Sequence, residues 1–151
     1  MTRSLDWLQL DRQLCFALYS ASLAMTKIYK PLLEPLGLTY PQYLVLLALW
    51  ERDGLAVNQL GERLFLDSGT LTPLLKRMET AGLLKRTRST RDERQVRVAL
   101  TAQGQALKEK ARGVPNAMLA ASACSIADLA ALKSEIVALR DRLNAAVEEK
   151  A

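Results

Sequence analysis

Between Val57 and Leu100 the apolar residues change their period, and that change limits the fold more than any other feature of the chain. Leu60 and Leu64 keep helical spacing over Val57–Leu64. After Phe65-Leu66 a second helical run begins at Ser68, with Asp67 in the N-cap position. Leu71, Leu74, Leu75 and Met78 fall on one side of that run, and Ala81-Gly82 stops it near Thr80. Beyond Leu83 the period drops to two. Val96, Val98 and Leu100 alternate with Gln95, Arg97 and Ala99, and Ser89-Thr90-Arg91-Asp92-Glu93 makes a charged tip. Two short helices followed by a protruding hairpin predict a winged helix-turn-helix reading head over about residues 55–100.

The charge distribution supports the same region. The chain carries 21 Lys and Arg against 16 Asp and Glu, a formal charge of +5. Between Lys76 and Arg97 eight basic residues (Lys76, Arg77, Lys85, Arg86, Arg88, Arg91, Arg94, Arg97) face three acidic ones (Glu79, Asp92, Glu93). That segment therefore holds the entire excess, and the rest of the chain balances. A field so confined suits a polyanion better than a uniformly solvated surface does. With the second helix in a major groove, Ser68, Thr70 and Thr72 face base edges, while Lys76, Arg77 and Arg86 are expected on phosphates. Arg91 and Arg94 on the wing suit phosphates or the minor groove; a structural alternative pairs Arg94 with Asp92 or Asp67. The implied partner is double-stranded DNA.

Helices flank the head. Residues 12–33 keep helical spacing with Asp11 as candidate cap, and Tyr40-Pro41 opens another helix through Trp50. Thr101 caps a run to about Gly113, and Ser125 opens a final helix striped by Leu129, Leu132, Ile136, Leu139, Leu143 and Val147. That stripe needs an apolar partner, either the chain's own first helix or a second subunit. A two-fold dimer reading two half-sites favours the second. The expected fold is mainly α: a single domain over 1–151, with N- and C-terminal helices (about 5–34 and 102–148) intertwined in a homodimer.

Other chemistry is sparse. The chain has no His, which excludes a Ser–His–Asp triad and any His-containing metal site. Two cysteines 109 residues apart have no metal-ligand spacing, so no metal or cofactor is implied. No stretch is apolar and long enough for a signal sequence or a membrane span, and a cytoplasmic protein with no membrane partner is expected. Redox chemistry at a thiol remains. Cys15 has Tyr19 one helical turn on, and Tyr29, Tyr40 and Tyr43 supply hydroxyls that could stabilise a thiolate. From the residues alone, a lone cysteine on a largely apolar helix such as Cys15 reads first as a small buried hydrophobe, and Cys124 suits a packing cysteine as well as a resolving thiol.

The segments LCFALYSASLAMTKIYKPLLEPLGLTYPQYLVLLALWE, LGERLFLDSGTLTPLLKRMETAGLLKR and DERQVRVALTAQG resemble the MarR family, specifically its organic hydroperoxide resistance repressor branch. The resemblance implies a DNA-binding repressor, not an enzyme. It implies that Cys15 is the redox sensor for an organic hydroperoxide, hydrogen-bonded across the dimer interface by Tyr29 and Tyr40 with Tyr19 nearby. Cys124 corresponds loosely to a second cysteine that captures the oxidised sensor; a small thiol is the alternative. Asp67 and Arg94, with Asp92, are implied to stabilise the head. Two rival functions stand beside this one: a repressor released by a small aromatic ligand near Tyr29, Tyr40 and Trp50, and a thiol peroxidase.

Overall fold

The computed structural model describes residues 7–92 and 94–150, so the first residues of the expected N-terminal helix and the wing-tip Glu93 lie outside it. Helix α1 runs Leu14–Leu33. Asp11 does not cap it: Leu10–Arg12 forms a separate 3-10 turn, and extended Gln13 takes the N-cap position without a side-chain bond. Pro31 sits in the final turn, where its missing N–H removes only a late helical bond and the helix continues to Leu33. Gly37, at φ 70°, reverses the chain. Helix α2 (Tyr40–Glu51) opens with a reciprocal box, in which Thr39 Oγ1 accepts from Gln42 N–H and Gln42 Oε1 accepts from Thr39 N–H.

The next elements follow the period change closely. Strand β1 (Leu55–Ala56) leads into α3 (Val57–Leu64) and α4 (Ser68–Thr80), then β2 (Leu84–Arg88) and β3 (Val96–Leu100). The sheet order is β1-β3-β2, all antiparallel, with Arg86 opposite Val98 and Leu55 also opposite Val98 on the other side. Sequence reasoning missed β1, because two residues cannot display a period. The turn between α3 and α4 is tight. Phe65 adopts φ 58°, and a Cβ on Gly61 would lie 2.8 Å from the Leu66 carbonyl.

One apolar core holds these pieces. Leu71, Leu74, Leu75 and Met78 of α4 are buried with Leu60 of α3, Val45, Leu46 and Leu49 of α2, Leu84 of β2 and Val98 of β3. Burying each such leucine contributes roughly 2 kcal/mol. The outer half of α4 is thereby fixed by its inner half.

Thr101 caps α5 (Ala102–Ala111) by accepting from Gly104 N–H and donates its hydroxyl to Gly82 O at 2.6 Å. The chain divides into two compact units, one ending at Val114 and one beginning at Pro115. The second contains most of α6 (Val114–Ser122) and α7 (Ile126–Glu149), which Ser125 caps through Asp128 N–H. No residue of α7 is buried, and Ile126, Leu132, Ile136, Leu143 and Val147 are exposed. Among the described residues no single helix is long and apolar enough to cross a membrane.

Of the seven glycines, Gly104 has the least room for a side chain. A Cβ there would lie 2.0 Å from the Leu83 carbonyl oxygen, which is backbone and cannot swing aside. Gly104→Ala is therefore expected to separate α5 from the base of the hairpin at a cost of about 3 kcal/mol, the upper part of the overpacking range. Urea unfolding checks this; an unchanged midpoint would mean that the joint can relax.

Candidate nucleic-acid interface and thiol site

The polar side of α4 follows from its buried side. At about 100° per residue, the direction opposite Leu71, Leu74, Leu75 and Met78 passes between Lys76 and Thr80. Lys76 lies about 30° from that direction, Thr72 and Arg77 about 70° and Thr70 about 90°. Ser68 stands further round, at the first turn. All of these residues are exposed. Asp67 holds the helix start: its Oδ1 accepts from Thr70 N–H at 2.8 Å, and backbone donation, chiefly from Thr70, keeps its carboxyl below the usual carboxylate range.

On the hairpin Lys85, Arg88, Arg91, Arg94 and Arg97 are exposed. Its tip is shaped by short polar bonds. Ser89 Oγ accepts from Arg91 N–H, and Asp92 Oδ1 accepts from Arg94 N–H at 3.0 Å. Asp92 thus orders the backbone at Arg94. Among the described residues no ion pair joins the Arg94 guanidinium to Asp92 or Asp67; Oδ1 of each carboxylate accepts from a backbone N–H.

Arg86 occupies a different environment. It is half-buried, its backbone N–H donates to Glu79 Oε2 at 2.7 Å, and its Nη2 lies 3.4 Å from Glu79 Oε1. Glu79 is on α4 and Arg86 on β2, so one carboxylate ties the helix to an edge strand. Arg86, expected on phosphate from its sequence position, thus also has a partner within the head. Sequence reasoning passed over Glu79 because one acid in a basic run looks like charge balance. At the other end of β3, Asp53 Oδ1 accepts from Leu100 N–H and Arg97 donates to Gly54 O.

The thiol site lies on the helices outside the hairpin. Cys15 is exposed on α1, as is Tyr19 one turn on. Tyr29, Tyr40 and Tyr43 form a cluster with ring centroids 4.6 Å apart for Tyr29–Tyr40, 6.0 Å for Tyr29–Tyr43 and 6.3 Å for Tyr40–Tyr43. Burial pushes all three hydroxyls above the ordinary phenol value, and the neighbouring rings add to this for Tyr29 and Tyr43. They remain neutral O–H donors, the form a thiolate needs as its partner. Cys15 and Tyr29 fall within about 40° on α1 but about 21 Å apart along its axis. A single chain therefore cannot bring Cys15 to the cluster. Leu14, Phe16, Leu23, Met25 and Ile28 leave much of α1 uncovered. Cys124 is exposed just before α7, its N–H donating to Ser122 Oγ after Ala123 at φ 56°.

The Glu79 contact has a defined pH signature. Donation from Arg86 N–H, the largest influence, holds the Glu79 carboxyl below its usual range. Its stabilisation is thus complete above the unfolded-state value of about 4.3 and fades as pH falls through the lower folded value. Glu79→Gln is expected to unfold at lower urea than the parent near neutral pH, with the gap closing in acid. A gap of equal size in acid would exclude the carboxylate's charge as its source.

Comparison with known proteins places this geometry among transcriptional regulators. Residues 27–111 match a family model described as transcriptional regulator SarA/Rot. The organic hydroperoxide resistance transcriptional regulator of Bacillus subtilis (strain 168) is 53% identical over 144 residues, covering 95% of this chain and 98% of that protein. Reduced AbfR bound to DNA superposes with a TM-score of 0.79 at 35% identity, covering 96% of this chain and 99% of the other. Disulfide-formed AbfR gives a TM-score of 0.61 at 39% identity, covering 86% and 91%. AbfR is a Staphylococcus epidermidis protein.

Proposed function

This chain belongs to the MarR family of transcriptional regulators, in the organic hydroperoxide resistance branch, and from that membership we propose that it is a homodimeric, DNA-binding repressor that releases its operator when Cys15 is oxidised by an organic hydroperoxide. The observation that carries the sensor reading is the separation of Cys15 from the tyrosine cluster on one helical face. Ser22 lies midway between Cys15 and Tyr29 in the sequence. Two copies of α1 crossing antiparallel at Ser22 put Cys15 opposite Tyr29 of the partner subunit and cover the exposed apolar residues of both helices. The dimer interface and the sensor are then one structure.

The chemistry balances simply. The Cys15 thiolate attacks the terminal oxygen of the hydroperoxide; an S–O bond forms as the O–O bond breaks. Sulfur loses two electrons; the terminal oxygen carries its own hydrogen into the sulfenic acid, and the leaving alkoxide takes up the proton released when the thiol ionised, becoming an alcohol. The sulfenic acid then condenses with a second thiol, Cys124 of the partner subunit or a small cellular thiol, and releases water. Each protein thiol reacts once per cycle, as suits a sensor and not a turnover enzyme.

Helix α2 offers the route to DNA. Tyr40 and Tyr43 lie at its start, and Trp50 near its end donates Nε1–H to Gly104 O at 3.0 Å. A shift of the cluster moves a rigid helix whose far end is bonded to α5 at Gly104, where α5 packs on the base of the hairpin. Oxidation thereby moves the reading heads away from half-site spacing.

A mobility shift on an operator duplex tests this. One equivalent of organic hydroperoxide should abolish binding by the reduced protein, a dithiol should restore it, and Cys15→Ser should stay bound. Release of Cys15→Ser by an aromatic compound would replace the thiol sensor with a ligand-gated repressor, and many peroxide turnovers without DNA binding would make the protein a peroxidase. Arg91→Ala and Arg94→Ala should each flatten the salt dependence, lowering the log–log slope by about 0.9 per lost phosphate contact.

A further inference from the structure

Two of the poorest helix-forming residues lie one turn apart on the most outward line of α4. Gly69 and Pro73 are each within about 30° of the direction opposite the buried leucines, closer to it than Ser68, Thr70 or Thr72. Both are exposed. Neither is required by the fold. Gly69 has no positive φ, and a Cβ there would meet only Asp67 Oδ1 at 3.4 Å, an ordinary contact. Pro73 stands in the helix interior, where nearly any other residue would form the helix better.

Together they make a distinct surface. Without a side chain, Gly69 lets the backbone approach whatever lies outside. Pro73 has no N–H to give to the carbonyl of Gly69, four residues earlier, so the helix leaves that oxygen without its usual donor. The pair thus presents one hydrogen-bond acceptor beside one small apolar surface.

In a major groove a single A·T pair displays the complement: the adenine N6 amino group as donor and the thymine C5-methyl as apolar partner. We propose that Gly69 and Pro73 read an A·T base pair, with Gly69 O accepting from adenine N6 and the Pro73 ring packing on the thymine methyl. The inference rests on the DNA-binding reading above and adds sequence-specific contacts that carry no charge. It places the basic residues around this line as backbone anchors and the uncharged ridge between them as the reader.

The test uses the full-length reduced protein and a duplex that it selects from a randomised double-stranded library. Analogues are then placed at each A·T pair in turn: deoxyuridine for thymidine removes the methyl, and a purine lacking the 6-amino group replaces adenine. At one A·T pair per half-site each analogue should weaken wild type about tenfold, the low end for a lost base contact. Pro73→Ala should bind the parent duplex about tenfold more weakly yet show no further loss on the deoxyuridine duplex. Gly69→Ala should behave the same way toward the adenine analogue. Both variants should unfold at higher temperature than the parent and keep its affinity for unselected duplex. A loss of affinity that tracks a lower melting temperature, or analogue penalties that persist in the variants, would overturn the proposal while leaving DNA binding intact. A wild-type protein that selects no duplex would remove the DNA-binding reading itself.

Discussion

The close approach at Gly104 governs how the reading head is carried. Its carbonyl accepts from Trp50 on α2, and its Cα admits the Leu83 carbonyl to a distance that any side chain would forbid. Thr101 completes the joint by bonding Gly82 and capping α5. Three chain segments therefore meet at one point: the long helical frame, the base of the hairpin and the helix that leads away from it. The packing there is too close for these segments to move independently.

A second constraint sets the relation of helix to wing. The edge strand β2 would present an unpaired N–H at Arg86, and the Glu79 carboxylate from α4 satisfies it at 2.7 Å. The Arg86 guanidinium lies 3.4 Å from the same carboxylate, so both its backbone and its side chain meet Glu79. What is gained is a fixed angle between the two elements that would touch DNA. Residues of the same charge thus have different surroundings: Arg86 is half-buried against α4, and Arg88, Arg91 and Arg94 are exposed.

Much of the head was legible in the sequence. The bounds of α3 and α4, the Asp67 cap and the hairpin all followed from apolar period and stop signals, which are local properties. The Asp11 cap failed because a 3-10 turn at Leu10–Arg12 competes for the same residues. Strand β1 and the Thr39–Gln42 box were missed: the first exists only through pairing with β3, and the second was hidden by attention to Pro41.

The thiol site divides in the same way. That Cys15, Tyr19 and Tyr29 share a helical face is arithmetic on the sequence, and so is their separation along the axis. That Tyr29, Tyr40 and Tyr43 converge, with their hydroxyls kept protonated by burial, required α1 and α2 to be packed together. The sequence by itself determined the winged helix-turn-helix, the placement of its positive charge and the face on which the cysteine stands, because each depends on neighbours a few residues away. Only the tertiary structure decided which arginine faces inward, where α2 meets the hairpin and which side chains gather around Tyr29. Those depend on contacts between residues far apart in the chain, whose distances no local pattern records.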